Sequence, residues 1–154
     1  MIVRDFTPAD SVAFRDLNFA WVETYFTVEP EDRAQLDDAQ THILDKGGAI
    51  LIAEYEGEAV GTVGLVPGHG KDVLELIKMS ARTDVQGKGI GRALMEAAMA
   101  KSRDMGAKQI WLETNTKLEA ALALYRKFGF RELTGEELTH TPYDRCNCQM
   151  LLDL

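Results

Sequence analysis

Residues 85–99, VQGKGIGRALMEAAM, place glycines at positions 87, 89 and 91 directly ahead of a helical pattern. Glycine at that density lets the backbone approach another group closely. The helix start behind it favours negative charge. Successive N–H groups in such a turn form a concavity for phosphate oxygens, and Lys88 and Arg92 flank it with positive charge. The expected ligand is an anion. Two familiar phosphate loops do not fit. A dinucleotide G-x-G-x-x-G needs glycine where Arg92 or Leu94 stands, and a Walker loop needs glycine at Leu65 and Ser or Thr at Asp72. A second feature is Glu75. Strand alternation sets Leu74, Leu76, Lys78 and Ser80 on one face and Val73, Glu75, Ile77 and Met79 on the other, so one carboxylate stands on an otherwise apolar face.

The elements that must position these residues follow from periodicity and end signals. MIVRDF (1–6) reads as a strand. A helix over 7–26 begins with Thr7 as N-cap, Pro8 in first helical position and Asp10 behind it, and Val12, Leu17, Ala20 and Trp21 lie on or near one face, extended by Phe14 and Tyr25. A second helix covers 29–48, favoured at its start by Pro30, Glu31 and Asp32 and ended by Gly47 and Gly48. Three β-rich runs follow at 49–57, 58–68 and 72–84. After the glycine turn come a helix from Gly89 to Met105, a strand at 108–114, a helix at 117–128 stopped by Gly129, and strands at 130–135 and 145–154. The pattern predicts one domain over 1–154, an α/β sandwich with helices on both faces of a mixed sheet.

The chain has 154 residues, 45% hydrophobic and 27% charged, which suits a single globular core. A net charge of -8 argues against general nucleic-acid binding, which wants a basic footprint. No apolar run is long enough to span a bilayer, and the N-terminus has no secretory pattern, so the expected location is the cytoplasm and no membrane contact is expected. Cys146 and Cys148 share a face of the last strand, a poor geometry for a mutual disulfide and a good one for two small core residues. His42, His69 and His140 lack ligand spacing, so no metal site is expected.

VQGKGIGRALMEAA resembles the acetyl-CoA pyrophosphate loop, Q/R-x-x-G-x-G/A, of the GNAT superfamily of N-acetyltransferases, complete at Gln86, Gly89 and Gly91. The preceding LELIKMSARTD resembles the fourth strand of that family. LETNTKLEAALALYRKFGF resembles its second signature, with Asn115, Ala121, Leu124, Tyr125, Gly129 and Phe130 in place. The resemblance covers essentially the whole chain and is most specific from Leu74 to Phe130. It implies a mostly antiparallel mixed sheet with a splayed pair of central parallel strands and acetyl-CoA in the gap.

The resemblance also implies roles. Pantetheine amides pair with the splayed strand at Met79, Ser80 and Ala81; the pyrophosphate takes N–H groups of Gly87, Lys88, Gly89, Ile90, Gly91 and Arg92; Gln86 orders the loop; and Asn115 contacts pantetheine or bridges to the next helix through water, where its own chemistry equally suits a helix N-cap or a turn. Tyr125 protonates or holds the departing thiolate. An alkylammonium must lose a proton before it attacks a thioester, and Glu75, its pKa expected to be raised by Val73 and Ile77, is the first candidate base, with Glu113 second. The cysteines lie far along the chain from these motifs, which disfavours an acyl-cysteine route. The acceptor pocket falls to the first two helices and the loop before the last strand, with Trp21, Tyr25 and Arg145 as substrate-binding candidates, Arg145 as a clamp for a carboxylate. The expected activity is transfer of acetyl to a primary amine of a small molecule. A protein acetyltransferase and a non-catalytic CoA sensor are the competing readings. The strand RCNCQMLLDL is a candidate edge for a homodimer.

Overall fold

A computed structural model describes all residues, 1–154. Seven strands form one sheet in the order β1-β2-β3-β4-β5-β7-β6. They are β1 (Ile2–Asp5), β2 (Ala49–Tyr55), β3 (Glu58–Pro67), β4 (Val73–Ala81), β5 (Gln109–Thr114), β6 (Arg131–Glu132) and β7 (Cys148–Asp153). Helices α1 (Ser11–Tyr25) and α2 (Pro30–Asp37) cover one face, and α3 (Ile90–Asp104) and α4 (Glu119–Phe128) the other. Every strand pair is antiparallel except β4–β5. The α/β class and the central parallel pair are as expected. No helix is long and apolar enough to cross a membrane.

The start of the first helix obeys its local signals. Thr7 is extended, Pro8–Asp10 form a 3₁₀ turn, and the Asp10 carboxylate accepts the Thr7 N–H at 2.7 Å. The buried stripe is not the one expected. Phe14, Asn18 and Val22, spaced by four, face the sheet, while Val12 and Tyr25 are exposed. Asn18 tolerates burial because its amide donates to the Phe14 carbonyl at 2.8 Å and to Thr62 Oγ1 at 3.0 Å. The helix expected over 29–48 is divided. α2 stops at Asp38, whose carboxylate takes the Thr41 N–H at 3.1 Å and so competes with continued helix; a separate helical turn, Gln40–Leu44, follows.

Two features of β4 shape the centre of the molecule. Its parallel pairing with β5 covers only Val73–Glu75 against Gln109–Trp111, and beyond that the strands part. Its register against β3 slips between Thr62↔Ser80 and Gly64↔Ile77, so Val63 stands opposite two residues, Lys78 and Met79. This is a β-bulge, and Lys78 sits in it at φ 50°. Thr62 pins it by donating from Oγ1 to the Lys78 carbonyl at 2.7 Å. The bulge inverts the expected alternation. Leu74 and Leu76 join Met79 and Ala81 in the α3/α4 core, whereas Ile77, Lys78 and Ser80 turn toward α1 and α2.

Two other expectations change at the chain's end. β7 begins at Cys148, so Cys146 lies in the preceding loop rather than on the strand. β7 is also not a sheet edge. It lies between β5 and β6, because Arg131 and Glu132 return to pair with Leu151 and Met150.

Candidate active site

The parting of β4 and β5 opens a cavity of about 230 Å³ that runs from the glycine turn to α1 and the β6–β7 loop. At one end is the turn. Gly87 and Gly89 have φ of 83° and 78°, which side chains resist, and a Cβ at either would meet nothing within 4 Å. Gly89 caps α3. The Gln86 N–H is bonded to the Thr83 carbonyl, and the next bonded N–H is that of Ala93, to Gly89. Every N–H from Gly87 to Arg92 is therefore free, several of them at the positive end of a helix of 15 residues. That arrangement suits an anion. The flanking cations have partners of their own: the Lys88 ammonium lies 5.6 Å from the centre of the Tyr55 ring, and Arg92 Nε donates to Glu96 at 3.0 Å.

Along the middle of the cavity, β4 pairs β3 through one edge only, which leaves the opposite edge from Ile77 to Ala81 without a strand. Met79, Ser80, Ala81, Gln86 and Gly91 line it. Facing them are Leu112–Asn115 of β5 and its end, and Ala121, Leu124 and Tyr125 of α4. Tyr125 is 8% exposed, and burial pushes its phenol up to about 12, so it holds its proton at neutral pH. Asn115 does not cap α4, whose first turn starts from Leu118. Its amide donates to the Arg145 carbonyl at 2.7 Å, and its oxygen takes the Lys117 N–H at 2.9 Å, tying the end of β5 to the β6–β7 loop.

At the far end two carboxyl groups converge, on the face that Ile77 shares with α1 and α2. Glu75 is not isolated among apolar neighbours. Its Oε1 lies 2.6 Å from His69 Nε2, and the His69 ring stacks on Trp111 at 3.8 Å. The group set apart by its environment is Glu113. Burial pushes its carboxyl up to about 7, with the charge on Glu75 adding to the rise, and Glu113 Oε2 is buried with no hydrogen-bond partner. A carboxyl that titrates near neutrality in a cleft is suited to acid–base work.

Behind these groups lies an ion network that sequence alone did not reveal. Asp32, with none of its side chain exposed, accepts from Arg145 Nη1 and Nη2 at 2.6 and 2.7 Å and from Lys78 Nζ at 2.7 Å. Burial opposes its charge, but Arg145, Lys78 and the Glu29 N–H outweigh it and hold Asp32 well below the usual carboxylate range. The same Asp32 caps α2 by accepting that N–H at 2.9 Å, the only role legible from its place after Pro30. Arg145, expected as a free clamp, is thus already held by a carboxylate of its own chain. Trp21 lines the cavity with Phe26 and Tyr143, but Tyr25 does not. It is 41% exposed and packs on the outer side of Trp21 at 5.5 Å. Cys146 also lines the cavity, because the loop folds back through Asn147 N–H to the Thr114 carbonyl. Distance along the chain therefore does not exclude it. Burial and the neighbouring Glu113 push its thiol up to about 12, which keeps it from being the thiolate nucleophile.

Residues 14–130 match the family model described as Acetyltransferase (GNAT) family. The chain is 37% identical over 121 residues to the uncharacterized N-acetyltransferase YjgM of Escherichia coli (strain K12), covering 77% of this chain and 72% of that one. It is 33% identical over 104 residues to N-acetyltransferase 8 of Rattus norvegicus, covering 65% of this chain and 46% of the rat protein. Among solved structures, a GNAT-family acetyltransferase from Staphylococcus aureus superposes with a TM-score of 0.88 at 19% identity, over 99% of this chain and 98% of that one. The acetyltransferase yncA of Salmonella typhimurium, solved with acetyl-CoA, superposes with a TM-score of 0.74 at 20% identity, over 99% and 93%. At these identities the structural likeness speaks for the fold.

Proposed function

Since the chain belongs to the acetyltransferase (GNAT) family and is an acyltransferase that uses acetyl-CoA, we propose that it acetylates a primary amine of a small molecule by direct attack in a ternary complex. The observation that carries this reading is the cavity's two-ended chemistry. It joins the free N–H groups of Gly87–Arg92 to the carboxyl pair Glu75 and Glu113 through the unpaired edge of β4. The free N–H groups of Gly87–Arg92 would hold the pyrophosphate and the unpaired edge at Met79–Ala81 the pantetheine, which would bring the acetyl group toward the bulge.

The ammonium of the acceptor gives one proton to Glu113, whose pKa near 7 matches the task, and Glu75 passes it to His69 and solvent. The free amine then attacks the acetyl carbon, and the C–N bond forms while the oxyanion is held by the Met79 N–H. The C–S bond breaks as Tyr125 gives its proton to the thiolate, and the excess proton on the new amide nitrogen restores the phenol. A small acceptor is favoured because the pocket's outer wall is braced by contacts between its segments. Glu29 accepts the Asp144 N–H at 3.0 Å, and Lys117 Nζ donates to the Tyr25 carbonyl at 2.9 Å, so the α1–α2 connection is fastened to the β6–β7 loop and to the start of α4. The free cysteines suit the reducing cytoplasm.

A panel of amino acids, simple amines, polyamines, aminoglycosides and short peptides, followed by release of free CoA, tests the reading. Release with a small amine is the expected result. Release with peptides alone would replace the small acceptor with a protein, and no release with any acceptor would leave a CoA sensor.

A further inference from the structure

We infer that the acceptor carries a carboxylate close to its amine, as an α-amino acid does, and that Lys78 is the residue that reads it. The inference rests on the acetyltransferase reading above and names its substrate class.

The acceptor end of the cavity has two chemically opposite walls. One presents Glu75 and Glu113, the side at which an amine is received. The other presents Lys78 and Arg145, and their shared counter-ion, Asp32, lies behind them with no exposed side chain. One fully buried carboxylate thus serves two cations. The next anion is Glu29, at a long 3.4 Å from Arg145, and its other oxygen is already occupied by the Asp144 N–H. The formal charges of this network balance, and its two cationic members, Lys78 and Arg145, are the ones that line the cavity.

Lys78 is unusual in three respects. Its side chain is 6% exposed, whereas lysine ordinarily keeps its ammonium in water. It occupies the left-handed region at φ 50°, a conformation that non-glycine residues adopt at a cost and retain where the surroundings demand it. It uses its N–H groups on Asp32 Oδ1 at 2.7 Å and Tyr143 Oη at 3.3 Å, which leaves one donor unused. Burial works most strongly against the ammonium, the charge and hydrogen bond of Asp32 favour it, and the positive charge of Arg145 adds to the opposition. A carboxylate entering from the cavity would accept the spare donor and offset that repulsion. Trp21, Val22, Phe26 and Ile77 also line the cavity and suit an apolar substituent. A plain alkylamine would leave the cationic wall facing hydrocarbon. A polyamine would bring a second ammonium against Lys78.

Calorimetric titration into the full chain saturated with CoA tests this with matched pairs that differ only in the carboxylate: leucine against 3-methylbutylamine, and phenylalanine against 2-phenylethylamine. The amino acid of at least one pair is expected to bind about tenfold tighter or more, the worth of one hydrogen-bonded charge pair. Lys78→Met should narrow that gap to a few-fold, and the wild-type comparison stands even if this variant does not fold. Equal or tighter binding of the decarboxylated amine in both pairs, or no binding of either kind, would overturn the inference. CoA release in the presence of acetyl-CoA separates it from the function it rests on. Release with the amines and not the amino acids would sink the carboxylate and keep acetyl transfer. Tight amino-acid binding without release would keep the carboxylate and sink acetyl transfer to it.

Discussion

Glu113→Gln is the substitution whose consequences are most closely fixed by the structure. The folded protein holds the Glu113 carboxyl at about 7, against 4.5 for the unperturbed group. A carboxyl with a raised folded pKa binds its proton more tightly when folded than when unfolded. Below pH 4.5 both states are protonated and the group is neutral to stability. As pH rises toward 7 the unfolded chain ionises and the folded one does not. Above 7 the folded protein carries a charge that burial disfavours, at a penalty of at most about 3 kcal/mol from the difference in pKa, reduced by solvent at this half-buried group. Glutamine has the same shape and no charge. The variant should therefore match the wild type near pH 4.5 and exceed it by up to about 3 kcal/mol at pH 8, roughly 6 to 12 °C in Tm for a chain of this size.

Activity should move the opposite way. If Glu113 is the base, the wild-type kcat/KM rises through pH 7 to a plateau, and the variant loses about a hundredfold or more together with that inflection. Urea unfolding at pH 5, 6, 7 and 8, with pH–rate profiles on the same preparations, reads both. A variant that is no more stable at pH 8 than at pH 5 relative to wild type would show that Glu113 is not a desolvated carboxyl. Wild-type turnover at pH 7 would show that the proton goes elsewhere, with Glu75 the next candidate.

Gly89→Trp should abolish acetyl-CoA binding in calorimetry, because the new side chain fills the turn ahead of the helix; at φ 78° it is also strained, at a cost of about 1–2 kcal/mol in urea unfolding, and undiminished binding would remove the pyrophosphate from this turn. Tyr125→Phe should lower kcat by about tenfold to a hundredfold with little change in the KM for acetyl-CoA, and an unchanged kcat would leave thiolate protonation to water. Asp32→Ala should cost about 3–5 kcal/mol in urea unfolding, since it strands both Lys78 and Arg145 without their counter-ion; a loss within about 1 kcal/mol would mean the network is not the tie it resembles. Thr62→Val, nearly isosteric, should cost about 1–3 kcal/mol and raise the KM for acetyl-CoA, because it strands the Asn18 amide and releases the Lys78 carbonyl that sets the bulge.

What could be read along the chain is what neighbours decide. Thr7, Pro8 and Asp10 start the first helix by contacts within four residues, and Gly87 and Gly89 are glycines because the local φ demands it. The donor half of the site falls in one stretch, from Glu75 to Tyr125, and so its loop, strand and helix were recognisable together. The acceptor half is assembled differently. Asp32 meets Arg145 across 113 positions and Lys78 across 46, and Cys146 reaches the cavity only because the loop after β6 folds back on Thr114. No periodicity reports such closures. Lys78 was concealed further, because strict alternation passes over the break at Leu76–Ile77, where two apolar residues stand together, and no glycine announces a left-handed residue. That single inserted residue moves a cation from the α3/α4 core side to the α1/α2 side. A local reading therefore finds the glycine turn and misses the cation that the bulge turns into the cavity, which is why the cofactor class was legible and the acceptor was not.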